Sequence, residues 1–389
     1  MLPIIITVTV RIAIAMLTLV MAVHGLYAQT VNTIFLWQIE TVSTGERCFD
    51  TNVSLALGEN DLPHLSYYAW DEGDLLYGMR GESGWESMVV DSSEYVGRHS
   101  SLALDSAGYV HISYRDSAQN QLKYARWNGE EWLIQVIGNE EWGWHPSLVL
   151  DSQDQAHIAY LGSDAVAGSQ TPKYAHWTGE MWEIGTIDPV FSSGGISIAL
   201  DGNEQPHISY LGDFGLRYGI ISGTSWLTEV VDSLTLNGVS AGIHSSIVVD
   251  DHDQPHISYS RYQTGLMYIL SDDLRYATKQ NNVWALEDVD TEGRVGWNIS
   301  SVQDREGQIH TTYFDQDQAA MKYAFQHEAG WRIRVVDIPV DLDGHTSLAL
   351  DSRGYPHIAY CDERQREVRY ARPVSIIDRI FLPFIGLSY

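Results

Sequence analysis

The stretch that decides the fold of this chain reads Ser101-Leu-Ala-Leu-Asp105-Ser-Ala-Gly-Tyr-Val-His111-Ile-Ser-Tyr114. Its histidine recurs along the chain at intervals of 46 to 54 residues, and a tyrosine follows each copy three residues later. The repeated histidines are His64, His111, His157, His207, His256, His310 and His357. Because self-similarity at a fixed period is the signature of a repeat architecture, the chain consists of seven copies of one unit.

Each copy contains four short runs with the composition of β-strands. The first is Ser-Leu-Ala-Leu, the second His-Ile-Ser-Tyr, the third Leu-Lys-Tyr-Ala, and the fourth opens on tryptophan, as at Trp132. An aspartate-led turn, such as Asp105 to Gly108, separates the first two runs. Four short strands in about 40 to 50 residues, without helix-period segments, predict an all-β fold. The specific expectation is a seven-bladed β-propeller with four-stranded blades.

The N-terminal strand is predicted to complete the C-terminal blade. The seventh copy has no tryptophan strand, because Pro373 and a divergent tail follow its third strand. The missing strand stands at the other end of the chain, at 37–42. Pairing the two closes the ring and removes both exposed sheet edges. Cys48 and Cys361 both fall near this seam, so a disulfide between them is predicted, with two unpaired thiols as the alternative.

The repeat Asp-x-x-Gly-x-x-His-Ile-Ser-Tyr resembles those of secreted bacterial propellers of the sialidase-like and NHL-like kind. The resemblance covers residues 37 to about 372. The aspartate-led turn is similar to the Asp-box of sialidases, Ser-x-Asp-x-Gly-x-x-Trp. It departs from that box because Gly108 follows Asp105 by three residues and His111 stands near the place of the tryptophan. Sialidases also resemble six-bladed rings, whereas seven copies are present here. The resemblance therefore implies a fold and little about activity.

Charge and the chain ends indicate an exported protein. Of 389 residues, 51 are acidic and 23 are Lys or Arg, a formal net charge of −28 that disfavours nucleic acid and anionic membrane surfaces as partners. Arg11, an apolar run at 12–23 and a small-residue site before residue 29 predict a signal peptide over 1–28, with an uncleaved anchor as the alternative. The propeller is assigned to 29–372 and a C-terminal tail to 373–389. The protein is expected to be a secreted monomer.

The residues repeated in every blade are interpreted as structural, because a binding site breaks symmetry. Asp105 and His111 flank one tight turn, and a carboxylate that accepts from an imidazole N–H stabilises the turn and the ring tautomer. Ligand pockets between blades and a metal role are the alternatives. The strand-opening tryptophans are predicted to pack blade against blade. They are Trp37, Trp85, Trp132, Trp182, Trp226, Trp284 and Trp331.

Function is expected where the repeats differ, on the face that carries the inter-blade linkers and the loops between second and third strands. Aromatic residues there suit sugar rings or partner side chains, with local packing as the alternative. A polar position before each first strand is predicted to ring the mouth of the central channel, where histidines would bind a metal or an anionic ligand, the alternative being hydrogen bonds between linkers. The predicted ligand-binding residues are Trp142, Trp144, His145, Trp297, Arg98, His99, His244 and His345.

Three functions are compatible with this face. The favoured one is a non-catalytic module that binds a carbohydrate or surface polymer; the second is an enzyme of the sialidase, glycosidase or lyase kind; the third is a scaffold for an extracellular protein. No nucleophile elbow, zinc motif or phosphate loop occurs, so no catalytic residue is assigned. No cofactor is predicted, but acidic groups on this face leave Ca²⁺ open. These are Glu140, Glu141, Asp213, Asp315 and Asp362.

Overall fold

The computed structural model describes residues 36–45, 53–138, 142–163, 170–213, 215–233, 239–264, 269–338, 340–341 and 346–374. The strands in these ranges form seven four-stranded antiparallel sheets. The only helical element described is a turn of 3₁₀ helix at Glu59–Asp61. The sheets form a ring, which confirms the predicted seven-bladed β-propeller.

The first strand, β1 (Leu36–Thr44), precedes the first complete blade. Blade 1 contains β2 (Ser54–Leu57), β3 (Pro63–Ala69), β4 (Asp74–Gly81) and β5 (Gly84–Asp91). Blade 2 contains β6 (Val96–Leu104), β7 (Val110–Asp116), β8 (Gln121–Trp127) and β9 (Trp132–Val136). Blade 3 contains β10 (Trp144–Leu150), β11 (Ala156–Ser163), β12 (Gln170–Trp177) and β13 (Trp182–Thr186). Blade 4 contains β14 (Ile196–Leu200), β15 (Pro206–Gly212), β16 (Gly215–Ser222) and β17 (Ser225–Ser233).

The remaining blades follow the same order. Blade 5 contains β18 (Val239–Val249), β19 (Pro255–Thr264), β20 (Ile269–Gln280) and β21 (Val283–Asp290). Blade 6 contains β22 (Val295–Gln303), β23 (Ile309–Asp315), β24 (Ala320–Phe325) and β25 (Arg332–Asp337). Blade 7 contains β26 (Ser347–Leu350), β27 (Pro356–Asp362) and β28 (Glu367–Val374), and β1 is its fourth strand.

The closure of the ring agrees with the prediction from the sequence, since the sheet order of blade 7 is β1-β28-β27-β26. The N–H of Gly45 donates to the carbonyl of Arg366 at 2.8 Å, and Glu40 on β1 accepts from Nε of Arg80 in blade 1 at 2.8 Å. β1 therefore links the last blade to the first. Cys361 is buried and disulfide-bonded. Cys48, the other cysteine of the chain, lies outside the described residues.

The core lies between adjacent blades. Every residue of β7, β15, β23 and β27 is buried, as expected for second strands covered by a blade on each face. Fourth strands such as β9 are mostly exposed. The apolar clusters combine residues of neighbouring blades: Ala103 of blade 2, for example, packs with Leu148 and Ile158 of blade 3. Stability thus comes from contacts between repeats, as in other repeat architectures.

A glycine at the start of β6 lets the linker from blade 1 cross close to β4. Gly97 has φ +105°, and a Cβ there would stand 2.7 Å from Cβ of Leu75. A side chain would therefore be strained by the backbone conformation and would also clash. The same arrangement recurs where Gly242 approaches Leu216, with φ +91° and a Cβ 2.9 Å from Cα. These glycines hold the linkers against the blade edge.

No helix that the structure describes has the length and apolar character to span a membrane. The predicted signal peptide lies outside the described residues. Of the predicted tail, only Pro373 and Val374 are described, both at the end of β28. The boundaries at 28 and 372 stay predictions.

Candidate functional site

The repeated histidine of each blade contacts a tyrosine of the third strand, and in blades 2 to 7 it also lies beside the aspartate of the turn, whose place in blade 1 is taken by Gly58. In blade 3, Nδ1 of His157 bonds the hydroxyl of Tyr174 at 2.6 Å, and Nε2 lies 3.4 Å from Oδ2 of Asp151. In blade 2, His111 makes the same contacts with Tyr124 at 2.5 Å and Asp105 at 3.3 Å. This pattern supports the structural interpretation of the repeated Asp–His pair.

The same histidine–tyrosine contact occurs in all seven blades. The pairs are His64–Tyr77, His111–Tyr124, His157–Tyr174, His207–Tyr218, His256–Tyr276, His310–Tyr323 and His357–Tyr370. Burial lowers the imidazole pKa in six of them, because a charged ring is poorly solvated there. Those six are His64, His111, His157, His207, His310 and His357. Their rings are neutral at physiological pH.

The predicted packing role of the strand-opening tryptophans is supported wherever their ring contacts are described. Each rests edge-on against the third-strand tyrosine of the preceding blade, with centroids 5.2 to 5.8 Å apart. Trp182 of blade 3, for example, meets Tyr124 of blade 2 at 5.2 Å and 75°. Edge-to-face pairs of this kind add to the energy of burial. They align each blade with its neighbour.

The linker face also carries a repeated ionic network between blades. Asp91, at the end of blade 1, accepts from the hydroxyl of Tyr114 at 2.7 Å and from Nζ of Lys123 at 3.1 Å, both in blade 2. Lys123 also contacts Asp116 at 3.0 Å. Equivalent groups meet in blade 6 around Lys322 and in blade 7 around Arg369. The carboxylates of this network are therefore paired with a cation of the protein.

The acidic residues considered for Ca²⁺ differ in whether a cation of the protein already contacts them. Asp315 lies 2.7 Å from Lys322 and Asp362 lies 3.2 Å from Arg369, and both are fully buried. Asp213 is exposed. Glu140 and Glu141 lie outside the described residues. Calcium binding on this face stays a prediction.

Three of the predicted site residues, His99, Trp144 and His145, meet at the junction of blades 2 and 3, where they form one ring stack with Arg115. The ring of His99 lies 4.2 Å from that of His145 and 5.2 Å from that of Trp144. The guanidinium of Arg115 stands 3.4 Å from the centre of the Trp144 ring. His99 is 1% exposed, whereas His145 and Trp144 are half-buried. The stack of Arg115, Trp144, His99 and His145 is referred to below as the blade 2–3 cluster.

Arg98 extends this cluster toward blade 1. It lies opposite Arg115 in the register of β6 and β7, and its guanidinium stands 4.6 Å from the ring of Trp70. Like charges directly opposite each other on adjacent strands are destabilising, so this pairing is unfavourable for the fold alone. Both guanidinium groups gain cation–π contacts with tryptophan. Arg98 thereby contacts blade 1, whereas Arg115, which is buried, contacts blade 3 and donates to Oδ1 of Asn120 at 2.8 Å.

Three described members of the polar position share an unusual backbone conformation. His99, His145 and Asn298 have φ of +54°, +48° and +56°, in the left-handed region that non-glycine residues rarely adopt. Because the conformation recurs in blade 6, it belongs to the repeat. His145 also lines the central channel, a cavity of about 150 Å³ bordered by the first strands of the blades. The predicted place of this position at the channel mouth therefore agrees with the structure at His145.

Trp142 stands two residues before β10 and is half-buried. Its N–H donates to the carbonyl of Asn120 at 2.6 Å, and its φ is +102°. The linker that carries it is thereby attached to the turn between β7 and β8. His345 lies outside the described residues, so its role stays a prediction.

The last two predicted residues, His244 and Trp297, lie at a different junction, between blades 5 and 6. Their rings are 5.0 Å apart. Nε1 of Trp297 donates to Oδ2 of Asp272 at 2.5 Å. Asp272 is fully buried, and this burial is the main reason its pKa is raised to about 6. The second oxygen of Asp272, Oδ1, has no hydrogen-bond partner among the described residues.

Asp272 was not among the residues predicted from the sequence. It lies on β20, opposite Tyr262 of β19, in the copy with the 54-residue interval. That long interval was the available signal, because an insertion in one blade breaks the repeat. Arg115 is the other residue that joins the site without having been selected as a ligand-binding residue. Only the register of β6 and β7 places it beside Trp144 and opposite Arg98.

No protein-family model matches the chain, and no curated protein matches it. Solved structures do match its fold. A polysaccharide lyase of family PL25, an ulvan lyase, aligns with a TM-score of 0.54 at 12% identity over 85% of this chain and 98% of its own. The polysaccharide lyase Uly1 aligns with a TM-score of 0.55 at 9% identity over 86% and 92%. An α-L-arabinofuranosidase of Fusarium graminearum aligns with a TM-score of 0.53 at 11% identity over 87% and 99%. At such identities the likeness shows the fold alone.

Proposed function

We propose that this protein cleaves an acidic polysaccharide on its linker face, at the blade 2–3 cluster, by β-elimination. The observation that carries the proposal is the opposition of Arg98 and Arg115 beside the stacked rings of His99 and His145. Cationic side chains can bind the carboxylate of an acidic sugar, imidazoles can transfer a proton, and aromatic rings can pack against the sugar ring. The sequence alone favoured binding without catalysis, and the enzyme alternative is now preferred.

The two arginines support an acidic substrate. A guanidinium presents planar, paired donors that match a carboxylate, and it keeps its charge at any physiological pH. The net charge of −28 acts against a polyanion at long range, but screening limits that repulsion to about 8 to 10 Å at physiological salt. Local charge at the cluster therefore dominates binding.

Elimination agrees better with the described residues than hydrolysis does. Glycoside hydrolysis commonly uses two carboxyl groups about 5 to 9.5 Å apart that reach the glycosidic bond. On this face Asp116, Asp315 and Asp362 are buried and face Lys123, Lys322 and Arg369. Elimination instead needs a base near neutrality and a cation that binds the uronate carboxylate. Histidine and arginine supply those two functions.

The role proposed for each residue in the reaction follows from its position in the cluster. His145 lines the channel mouth, is half-buried, and is the group proposed to take the proton from the carbon next to the substrate carboxylate. His99, buried beneath it, holds the His145 ring by stacking. Arg98 and Arg115 would bind the carboxylate and stabilise the charge that develops as the proton leaves. The electron pair of the broken C–H bond forms a C=C bond, and the glycosidic oxygen leaves and takes a proton from water.

The comparisons support this choice to a limited extent. Two of the matching structures are, by their names, polysaccharide lyases, and the third is an arabinofuranosidase. A propeller of this kind therefore accommodates polysaccharide cleavage. Substrate and mechanism for the present chain rest on the blade 2–3 cluster.

The test is incubation of the protein with polyuronates, sulfated uronate polymers and a neutral arabinan. Ultraviolet absorbance reports the unsaturated sugar that only elimination creates, and a reducing-end assay reports any cleavage. Both signals on a uronate polymer are expected. Reducing ends without absorbance would assign a hydrolase and overturn elimination. Retention without products would restore the binding hypothesis, and neither signal nor retention would favour the scaffold for a protein partner.

The matched pair of variants is Arg98→Ala and Arg305→Ala. Arg305 is an exposed arginine in the turn between β22 and β23, on the opposite face of the ring. Arg98→Ala should abolish retention of the uronate polymer, whereas Arg305→Ala should retain it fully. Equal retention by both variants would remove the cluster from the proposal.

A further inference from the structure

Blade 3 carries a histidine, His176, opposite its repeated histidine on the third strand. The residue paired with the repeated histidine on the third strand differs from blade to blade. In the six blades whose register is described at this point it is Met79, Arg126, His176, Ile220, Thr278 and Phe325. Among these, blade 3 alone places a second imidazole beside the Asp–His pair. The repeated pair is structural, and the added histidine needs a separate explanation.

The three side chains of blade 3 converge on one point. The rings of His157 and His176 are 4.3 Å apart, and one ligand atom from each of Asp151, His157 and His176 lies within 4.8 Å of the other two. Nε2 of His157 and Oδ2 of Asp151 are 3.4 Å apart. In a tetrahedral zinc site the bond lengths imply about 3.3 Å between neighbouring ligand atoms. The spacing of the repeated Asp–His pair already matches one edge of such a site.

The surrounding hydrogen bonds direct the ligand atoms inward. The hydroxyl of Tyr174 bonds Nδ1 of His157 at 2.6 Å, so Nε2 is the nitrogen that faces Asp151. Oδ1 of Asp151 accepts from the N–H groups of Gln153 and Gln155 at 2.9 and 2.8 Å, so Oδ2 is the oxygen that remains. An outer partner on the far nitrogen of a ligating histidine is typical of protein metal sites.

His176 provides an independent observation. Its Nε2 atom is buried and has no hydrogen-bond partner among the described residues. Burying a polar nitrogen without a partner costs free energy, and a bound cation would remove that cost. A cation between Nε2 of His176, Nε2 of His157 and Oδ2 of Asp151 would satisfy all three.

We propose that Asp151, His157 and His176 bind one Zn²⁺ ion, with water as the fourth ligand. Two imidazoles and one carboxylate suit zinc, whereas Ca²⁺ and Mg²⁺ prefer oxygen ligands alone. The ion would connect the turn after β10 to β11 and β12, and so stabilise blade 3.

This site is separate from the proposed catalytic face. On β11 the partner of Trp144 is Leu161, four residues from His157. At the rise of an extended strand that separation is about 13 Å, and it leads toward the opposite end of the blade. Loss of zinc would therefore leave the blade 2–3 cluster in place, and the two proposals can fail independently.

The experiment uses the full chain without a histidine tag. The protein is treated with a chelator, dialysed, and titrated with Zn²⁺ by calorimetry, and then with Co²⁺, whose visible absorption reports tetrahedral nitrogen and oxygen ligands. One equivalent should bind. His176→Phe should remove that equivalent, and the variant should fold because Phe325 occupies the same position in blade 6. Since altering an outer partner alone costs 10- to 100-fold in metal affinity, removing a ligand should cost more than about 100-fold.

A gain of function provides the matched control. In blade 6, Nε2 of His310 lies 3.0 Å from Oδ2 of Asp304, and the Phe325 ring is stacked on the His310 ring. Phe325→His should therefore create a second equivalent of bound zinc. Circular dichroism checks that each variant is folded. Absence of zinc binding by the wild-type chain, or equal binding by wild type and His176→Phe, would overturn the proposal.

Discussion

The hydroxyl oxygen of Ser101 accepts the backbone N–H of Leu148 at 3.0 Å, across the boundary between blade 2 and blade 3. The same bond joins each first strand to the next around the channel, at 2.9 to 3.3 Å. The accepting serines are Ser54, Ser101, Ser147, Ser197, Ser246, Ser300 and Ser347. The serine that opens each repeat is therefore a link between blades. A closed ring of seven such bonds lines the channel.

Removing one link should weaken the whole ring. Ser101→Ala leaves the N–H of Leu148 without its acceptor in a partly buried position, and we expect the free energy of unfolding to fall by about 1 to 2 kcal/mol. Urea denaturation followed by tryptophan fluorescence measures this. Ser225→Ala, at an exposed position on β17, is the control and should change stability by less than about 0.5 kcal/mol. Equal effects would show that the serine ring adds nothing specific.

Alanine substitutions at two glycines distinguish the cost of backbone strain from the cost of a steric clash. Gly97 and Gly108 both have positive φ, at +105° and +82°, but only at Gly97 would a Cβ meet another residue, Leu75. Both alanine substitutions should lower the free energy of unfolding through backbone strain, and Gly97→Ala should lower it by about 1 to 3 kcal/mol more. Thermal or urea unfolding of the two variants provides the comparison. Similar losses would mean that the linker moves away from β4 without penalty.

The repeated histidines should make stability depend on pH. Burial lowers the pKa of His111 below its ordinary value of 6.5, as it does for five equivalent histidines. The unfolded chain then binds protons more readily than the folded one, so their contribution is complete above about pH 6.5 and declines as the pH falls below it. We expect a lower free energy of unfolding near pH 5 than near pH 7.5. His111→Gln should reduce this dependence, whereas the exposed His327→Gln should not.

Asp272 should change the stability of the protein with pH in the opposite direction to the repeated histidines. Burial raises its folded pKa from 3.8 to about 6, so the folded chain binds the proton more tightly than the unfolded one. The carboxyl is tolerated at low pH and costs stability as the pH rises from about 4 through 6. Asp272→Asn should stabilise the protein near pH 7.5 by on the order of 2 kcal/mol and have little effect near pH 4. The exposed Asp317→Asn, which changes only surface contacts with Arg294, should show no such gain.

The roles within the blade 2–3 cluster predict different kinetic changes. His145→Ala removes the proposed base and should lower kcat by at least about 100-fold, with KM little changed. Arg98→Lys keeps the charge but loses the planar fork, and should raise KM by about 10-fold with a smaller change in kcat. Initial rates across substrate concentration measure both. A large kcat loss in Arg98→Lys together with an active His145→Ala would reverse the assignment.

Much of this architecture was predictable because the same sequence pattern occurs in seven copies. The period, the four strand patterns and the strand displaced to 37–42 predicted the blade number and the ring closure, and the structure confirms both, with the closing strand at Leu36–Thr44. The turn aspartates and repeated histidines were predicted as partners for the same reason. Each lies six residues from the other, so their contact is local and survives any error in the long-range fold.

The candidate sites were harder to predict from the sequence, because they depend on residues brought together across strands and blades. The sequence placed Arg98, Arg115, His99, Trp144 and His145 on one face, but it did not predict that they stack. It assigned His244 and Trp297 to the same group, whereas they lie with Asp272 at a different junction.

The sequence by itself determined the number of blades, their strand order and the closing strand, because hydrophobic period and turn chemistry are local and are repeated in every copy. Tertiary structure alone decided which unrepeated residues meet. Strand register placed Arg115 opposite Arg98 and His176 opposite His157, and blade contacts buried Asp272. Such pairings join residues far apart in the chain, and a shift of one residue in register would have sent each side chain to the other face of its sheet.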